Sequence, residues 1–157
     1  MGAIAVAMAL GGCSRMHGEV ELEVSRSEVV ETARADLPAL AGALDAEIEE
    51  SWGTWSAGGA KNNFQVSYRA TARLVDTSAT SNDIAEALDA LGYDVIQDNE
   101  AAVVGMRDGL KIISSPGDAP FRVSVVGPYL RTETGTVSTG PREDLDLPTD
   151  EDSPGST

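Results

Sequence analysis

The chain of 157 residues contains one cysteine and one histidine, and aromatic residues make up only 4% of it. A single Cys excludes an intramolecular disulfide framework and a Cys-based zinc site. A single His leaves nothing for a His-rich metal centre. Basic residues are also scarce, with 11 Lys and Arg against 26 Asp and Glu and a formal net charge of −15. Nucleic-acid binding depends on clustered Lys and Arg, so that class of partner is excluded. Neither GxxxxGK[ST] nor GxGxxG occurs, and no phosphate-cradling glycine loop is expected. No apolar run reaches the roughly 20 residues that cross a bilayer as a helix.

The first feature that is present lies at the start. Residues 2–12 are uncharged and all small or apolar. Their length suits a signal-peptide core. They end in Leu10-Gly11-Gly12-Cys13, which resembles the bacterial lipobox: an aliphatic residue, two small residues, then cysteine. The resemblance implies that the Cys13 thiol takes a diacylglyceryl group and that cleavage just before it makes lipidated Cys13 the mature N-terminus. Small residues at the cut let a peptidase approach the backbone. Two or more acyl chains, palmitate-type, anchor firmly where a single chain is marginal. No Lys or Arg precedes Cys13, whereas a signal peptide has a basic n-region, so the true start is expected upstream. The competing reading of the same residues is a small buried helix with a free thiol.

Downstream, the spacing predicts one domain with tails. Residues 13–26 read as a lipid-anchored tether, because Glu19, Glu21 and Glu23 alternate with Val20, Leu22 and Val24. Residues 27–50 form the strongest helix pattern, with Val29, Val30, Ala33, Leu37, Leu40, Ala41, Leu44 and Ile48 on one face. Ser25 and Glu28 have capping-box spacing, Pro38 predicts a kink or a break, and Gly53 is placed to help end the helix. Residues 62–76 alternate strictly, with Phe64, Val66, Tyr68, Ala70, Ala72 and Leu74 against Gln65, Ser67, Arg69, Thr71 and Arg73. That period of two is a strand with one apolar face.

A second helix is expected over 81–91, capped by Thr80 or Ser81 and ended by Gly92. A meander follows. Its strands start at Tyr93, Ala102, Leu110 and Phe121, with turns at Asp98-Asn99, Asp108-Gly109 and Ser115–Asp118. Gly105 and Gly109 leave open a single bent strand instead of the hairpin. Residues 132–157 carry seven acids and one Arg and few apolar residues, which reads as a disordered acidic tail. Residues 61–131 carry seven basic and nine acidic residues, so the β-rich part is close to neutral. The expected fold is α+β: a two-layer sandwich of an antiparallel sheet of four to five strands with both helices on one face, spanning 27–131.

With the lipobox, the Ala-rich composition, Trp52 and Trp55 after the first helix, and the Leu91-Gly92-Tyr93 step, the layout resembles small lipoproteins of high-GC Gram-positive bacteria. So does the closing Gly127-Pro128-Tyr129. The resemblance implies the outer face of a cell membrane and an α+β fold, and it brings no catalytic residues. Many such proteins also carry a cysteine pair that this chain lacks.

Candidate chemistry is sparse. His17 stands four residues from Cys13, outside the expected domain, and reads as a tether residue. Asp76, Asp94, Asp98, Glu100, Asp108 and Asp118 supply the carboxylates a glycosidase needs, but most fall in turns, where Asp favours local hydrogen bonds. Asp144, Asp146, Asp150, Glu151 and Asp152 lack the offsets of a calcium loop. No metal or cofactor is expected. Trp52 and Trp55 either close the core or line a sugar groove with Tyr68. Arg69, Thr71 and Arg73 share the polar face of the long strand, and Lys111 or Arg122 can join them if the meander pairs beside it. That surface would accept an anionic polymer, a lipid headgroup or an acidic segment of an envelope protein; the plainer alternative is cross-strand pairing with acids. The expected role is lipid-anchored, extracytoplasmic binding or scaffolding without catalysis. The alternatives are a carboxylate-dependent envelope enzyme acting on carbohydrate, and a cytosolic protein with a false lipobox.

Overall fold

The structure, a computed structural model, describes residues 16–60, 62–115 and 121–147. The alternating segment forms strand β2 (Gln65–Val75). Its even-numbered side chains Val66, Tyr68, Ala70, Ala72 and Leu74 are buried. Helix α1 (Glu19–Ala43) lies on that face, and Leu22, Val29, Ala33, Leu37 and Leu40 are almost completely buried along its stripe. Two alanines in the middle of β2 allow close approach of the helix. Gly127, just past β6, does the same: a Cβ there would lie 2.9 Å from a Val29 methyl.

The sheet has eight antiparallel strands. β1 (Glu47–Gly58) precedes β2, and helix α2 (Ser81–Ala90) follows it. Then come β3 (Asp94–Asp98), β4 (Val103–Arg107), β5 (Leu110–Ser115), β6 (Phe121–Val126), β7 (Leu130–Arg131) and β8 (Glu143–Asp144). The spatial order is β3-β4-β5-β6-β2-β1-β8, with β7 also on β2. β7 prolongs the line of β6 after Gly127 and Pro128, a residue that cannot donate to a ladder. Asp108 and Gly109 both have positive φ, 52° and 80°. They form the tight β4–β5 hairpin, not a bend in one long strand.

α2 begins on a capping box in which the Thr80 hydroxyl accepts from the Asp83 backbone N–H and the Asp83 carboxylate accepts from the Thr80 N–H. Those bonds from the Thr80 backbone and hydroxyl hold the Asp83 carboxyl below the usual carboxylate range. Ile84 and Leu88 of α2 enter the same core as α1, beside Tyr93, Val103 and Ile112. Both helices therefore cover one face of the sheet, as the two-layer α+β expectation has it.

Several sequence expectations are corrected. The sheet has eight strands, not four to five. The helix pattern assigned to 27–50 begins at Glu19 and stops at Ala43, and residues from Glu47 onward are strand. Gly18, not Ser25, precedes its first turn, and Ser25 is buried inside it. The Val and Leu residues of 19–26 alternate with Glu, yet Leu22 also sits seven residues before Val29, on the helical stripe. Burial of Leu22 decides for helix, so a 13–26 tether is not what the described part of that segment forms. Pro38 lies within one continuous helix, between the buried Leu37 and Leu40 of its inward stripe.

A further correction concerns the tail. Residues 132–147 pack on the sheet: β8 pairs with Trp52 and Gly53, and Leu145 and Leu147 are buried in the core. Two leucines at the right place offset the ordering of an otherwise polar strap. Residues 148–157 lie outside the described residues.

A charged group is set inside this core. Asp36 faces inward from α1, accepts from the Tyr93 hydroxyl and pairs with the Arg107 guanidinium. Arg107 also donates to the Leu91 carbonyl at 2.7 Å and lies 4.3 Å over the Tyr93 ring. Burial, followed by the bond to Asp36, pushes the Tyr93 phenol up. The cluster ties α1, the end of α2 and β4 together. Asp36→Ala is expected to cost about 2–3 kcal/mol in urea unfolding, because it leaves Arg107 and Tyr93 without their shared acceptor. Leu145→Ala is expected to cost about 2–4 kcal/mol in the same measurement. A truly unstructured strap would show no change.

Candidate functional site

The alternation that buries one face of β2 turns Arg69, Thr71 and Arg73 to the other, which neither helix covers. The register then extends each position into a row across the sheet. Arg69 stands opposite Val126, and Val126 opposite Lys111. Thr71 stands between Ser124 and Trp52. Arg73 stands opposite Arg122. All five candidate residues, Arg69, Thr71, Arg73, Lys111 and Arg122, therefore lie on one face.

They are not equivalent there. Thr71 is buried and shares a 2.8 Å hydrogen bond with the Ser124 hydroxyl, so it is part of the floor. Arg73 is bound by Glu49 at 2.8 Å and Glu50 at 2.9 Å, the pairing that the plainer alternative foresees. Arg69, Lys111 and Arg122 are exposed, and none is in an ion pair with another described residue.

A fourth free cation, Arg142, comes from the strap. Its guanidinium lies 4.2 Å over the Trp52 ring, with Arg122 at 5.9 Å. The indole attracts both cations through its negative ring face. Sequence reasoning missed Arg142 because it sits in an acidic, apparently structureless segment. Its one signal is that it is the only basic residue after Arg131. Asp144 and Asp94 carry the opposite sign near the two edges of this face.

An open cleft of about 500 Å³, without Tyr68 in its lining, is bordered by both Trp52 and Trp55. They face opposite sides of the sheet, and Trp55 packs edge-to-face on Tyr68 with centroids 5.1 Å apart. Gly53, between them, leaves room for the Tyr68 hydroxyl, which a Cβ would meet at 1.8 Å. That hydroxyl donates to Glu143, and Arg26 pairs with the same carboxylate at 2.7 Å. Burial, then Glu143, pushes the Tyr68 phenol up. This cluster fastens the strap, and with it Arg142, to α1 and β2.

The carboxylate candidates scatter. Asp76 and Asp108 occupy left-handed turn positions, and Asp94 and Asp98 lie on the edge strand β3. Asp76 of that set lines an open polar cleft of about 480 Å³ shared with Asp45, Asp83 and Glu86. Asp83 is taken up by the α2 cap, and Glu86 accepts from Asn82 at 3.2 Å. Among the described residues no group of three or more His, Cys, Asp or Glu is arranged to hold a metal ion. His17 pairs with Glu21 at the start of α1. Cys13, Asp118 and Asp150–Asp152 lie outside the described residues. Among the described residues no helix is long and apolar enough to cross a membrane.

The chain matches no protein-family model, and no curated protein and no solved structure is similar to it. The site is therefore read from its own geometry. In a Trp55→Phe background, Arg142→Ala is expected to raise acrylamide quenching of Trp52, because the guanidinium over the indole is removed. Unchanged quenching would show that the strap does not cover the ring in solution.

Proposed function

We propose that this chain is a lipid-anchored extracytoplasmic protein of the cell envelope, which binds an anionic polymer through the uncovered face of its sheet and performs no catalysis there. One observation carries the binding part: Arg69, Lys111, Arg122 and Arg142 stand on one sheet face without an ion pair to another described residue, in a chain whose net charge is −15. At physiological ionic strength screening acts over about 8 Å, so a ligand on this face meets these cations more strongly than the remote acids. The anchoring part rests on Leu10-Gly11-Gly12-Cys13 and the apolar run before it.

A carboxylate-dependent enzyme acting on envelope carbohydrate is the second reading, and the cleft that joins Asp76 to Asp45 is what favours it. Loss of carbohydrate turnover in Asp76→Asn, with polymer binding intact, would select that reading.

The anchoring test compares wild type with Cys13→Ala, expressed from an upstream start in a native-like host. Wild type is expected in the detergent phase with added acyl mass, and the variant in the aqueous phase. Equal aqueous partitioning at unmodified mass would leave the cytosolic reading. For binding, changing Arg69, Lys111, Arg122 and Arg142 together to Gln is expected to weaken affinity for long-chain polyphosphate by ~10- to 30-fold, at about 0.5 kcal/mol for each exposed charge contact. It should also flatten the salt dependence. Loss of binding to anionic vesicles alone would point to a lipid headgroup instead.

A further inference from the structure

We propose that the end of the domain made by the first turns of α1 and the β6–β7 junction is a membrane-contact surface that seats the domain on the lipid interface; this rests on the anchoring of Cys13. Among the described residues five large apolar side chains are exposed: Met16 (45%), Val20 (78%), Val24 (54%), Tyr129 (56%) and Ile96 (62%). Met16, Val20 and Val24 belong to the first turns of α1 or stand just before them, while Tyr129 lies beside Gly58 on the face that the helices leave uncovered. Val20 and Val24 are one helical turn apart on the same side of α1. Val24 lines a shallow groove with Pro128 and Leu130 of the β6–β7 junction.

This end is held rigidly. The His17 N–H donates to the Arg131 carbonyl at 2.8 Å, and the Thr132 hydroxyl donates to the His17 carbonyl at 2.9 Å. Cys13 is three residues from Met16, so its α-carbon lies no more than about 11 Å from that of Met16. An acyl chain at Cys13 therefore brings this end close to the bilayer. A leash of that length also gives a high effective concentration, so a small apolar patch suffices for docking although it would not hold a free protein on a membrane.

Charge narrows the kind of membrane. Glu19, Glu21 and Glu23 interleave with the valines, where surface helices that favour anionic lipid carry Lys and Arg. His17 faces Glu21, and Arg26 pairs with Glu23 at 3.1 Å, so part of that charge is met internally. The acid left over, Glu19, fits the outward ammonium of a zwitterionic headgroup and opposes an anionic surface.

The test uses the processed, lipidated protein in phosphatidylcholine nanodiscs containing doxyl-labelled lipid, with methyl NMR as the readout. The methyl signals of Val20 and Val24 are expected to lose most of their intensity. Those of Ile96, on β3 four strands away from β2, are expected to keep theirs. Val20→Ser with Val24→Ser, both at exposed positions, should leave the protein in the nanodisc but raise the tumbling of the domain. Replacing part of the lipid with phosphatidylglycerol should reduce the broadening, and added salt should restore it.

Equal broadening at positions 20, 24 and 96, with the protein still in the nanodisc, overturns docking while leaving anchoring intact. Protection of the two valines in lipid-free solution together with a doubled mass would assign the patch to a second copy of the chain and also overturn it. If the protein is not lipidated, coupling the single Cys13 thiol to a maleimide lipid restores the leash. Docking is then judged by the same signals, separately from the failure of anchoring.

Discussion

Burial of the even-numbered face of β2 against α1 is the constraint from which the other features follow. β2 is bordered by β1 on one side and by β6 and β7 on the other, and it lies beneath the helix stripe. A slip of one residue would put Arg69 and Arg73 under Leu37 and Leu40, at a cost no register slip can recover. The register of β2 therefore sets the registers of its neighbours. Through them it lines up Arg69 with Val126 and Lys111, and Arg73 with Arg122. The cationic face is a geometric consequence of the core on the other side.

The strap from Thr132 to Leu147 links this face to the chain's beginning. Glu143 accepts from Tyr68, whose ring belongs to the core, and pairs with Arg26 on α1. Leu145 and Leu147 enter the core beyond it. Arg142 is carried onto Trp52 by those anchors, one residue away from Glu143. Thr132, at the other end of the strap, is bonded to His17. A change that loosened Leu145 would reach both the cationic face and the seating of α1's first turn, although these lie on different sides of the molecule.

Legibility in the sequence varied with how local the deciding signal was. β2, α2 and the β3–β6 meander carry their own periodicity, caps and turns, and all were readable. β1 was hidden because Glu47, Ile48, Glu49, Glu50 and Ser51 extend a helical apolar pattern for another turn. Its strand state is decided by pairing along the length of β2. α1's first turns were read as extended because Val and Leu alternate with Glu at 19–24, which fits both periods over so short a stretch. Composition pointed to a disordered strap, since two buried leucines hardly alter the average of an acidic segment.

By itself, the sequence determined the α+β class and the central strand with its apolar face and its polar face carrying Arg69 and Arg73. It also determined the absence of a disulfide framework and of a cysteine-based zinc site, because composition and period are properties of the chain. Only the tertiary structure decided which of those cations stay free. Arg73 is taken by Glu49 and Glu50 from β1, and Arg142 is supplied by the strap. Ion pairs and ring contacts form between segments far apart in sequence, and their geometry exists only once the core has set the register.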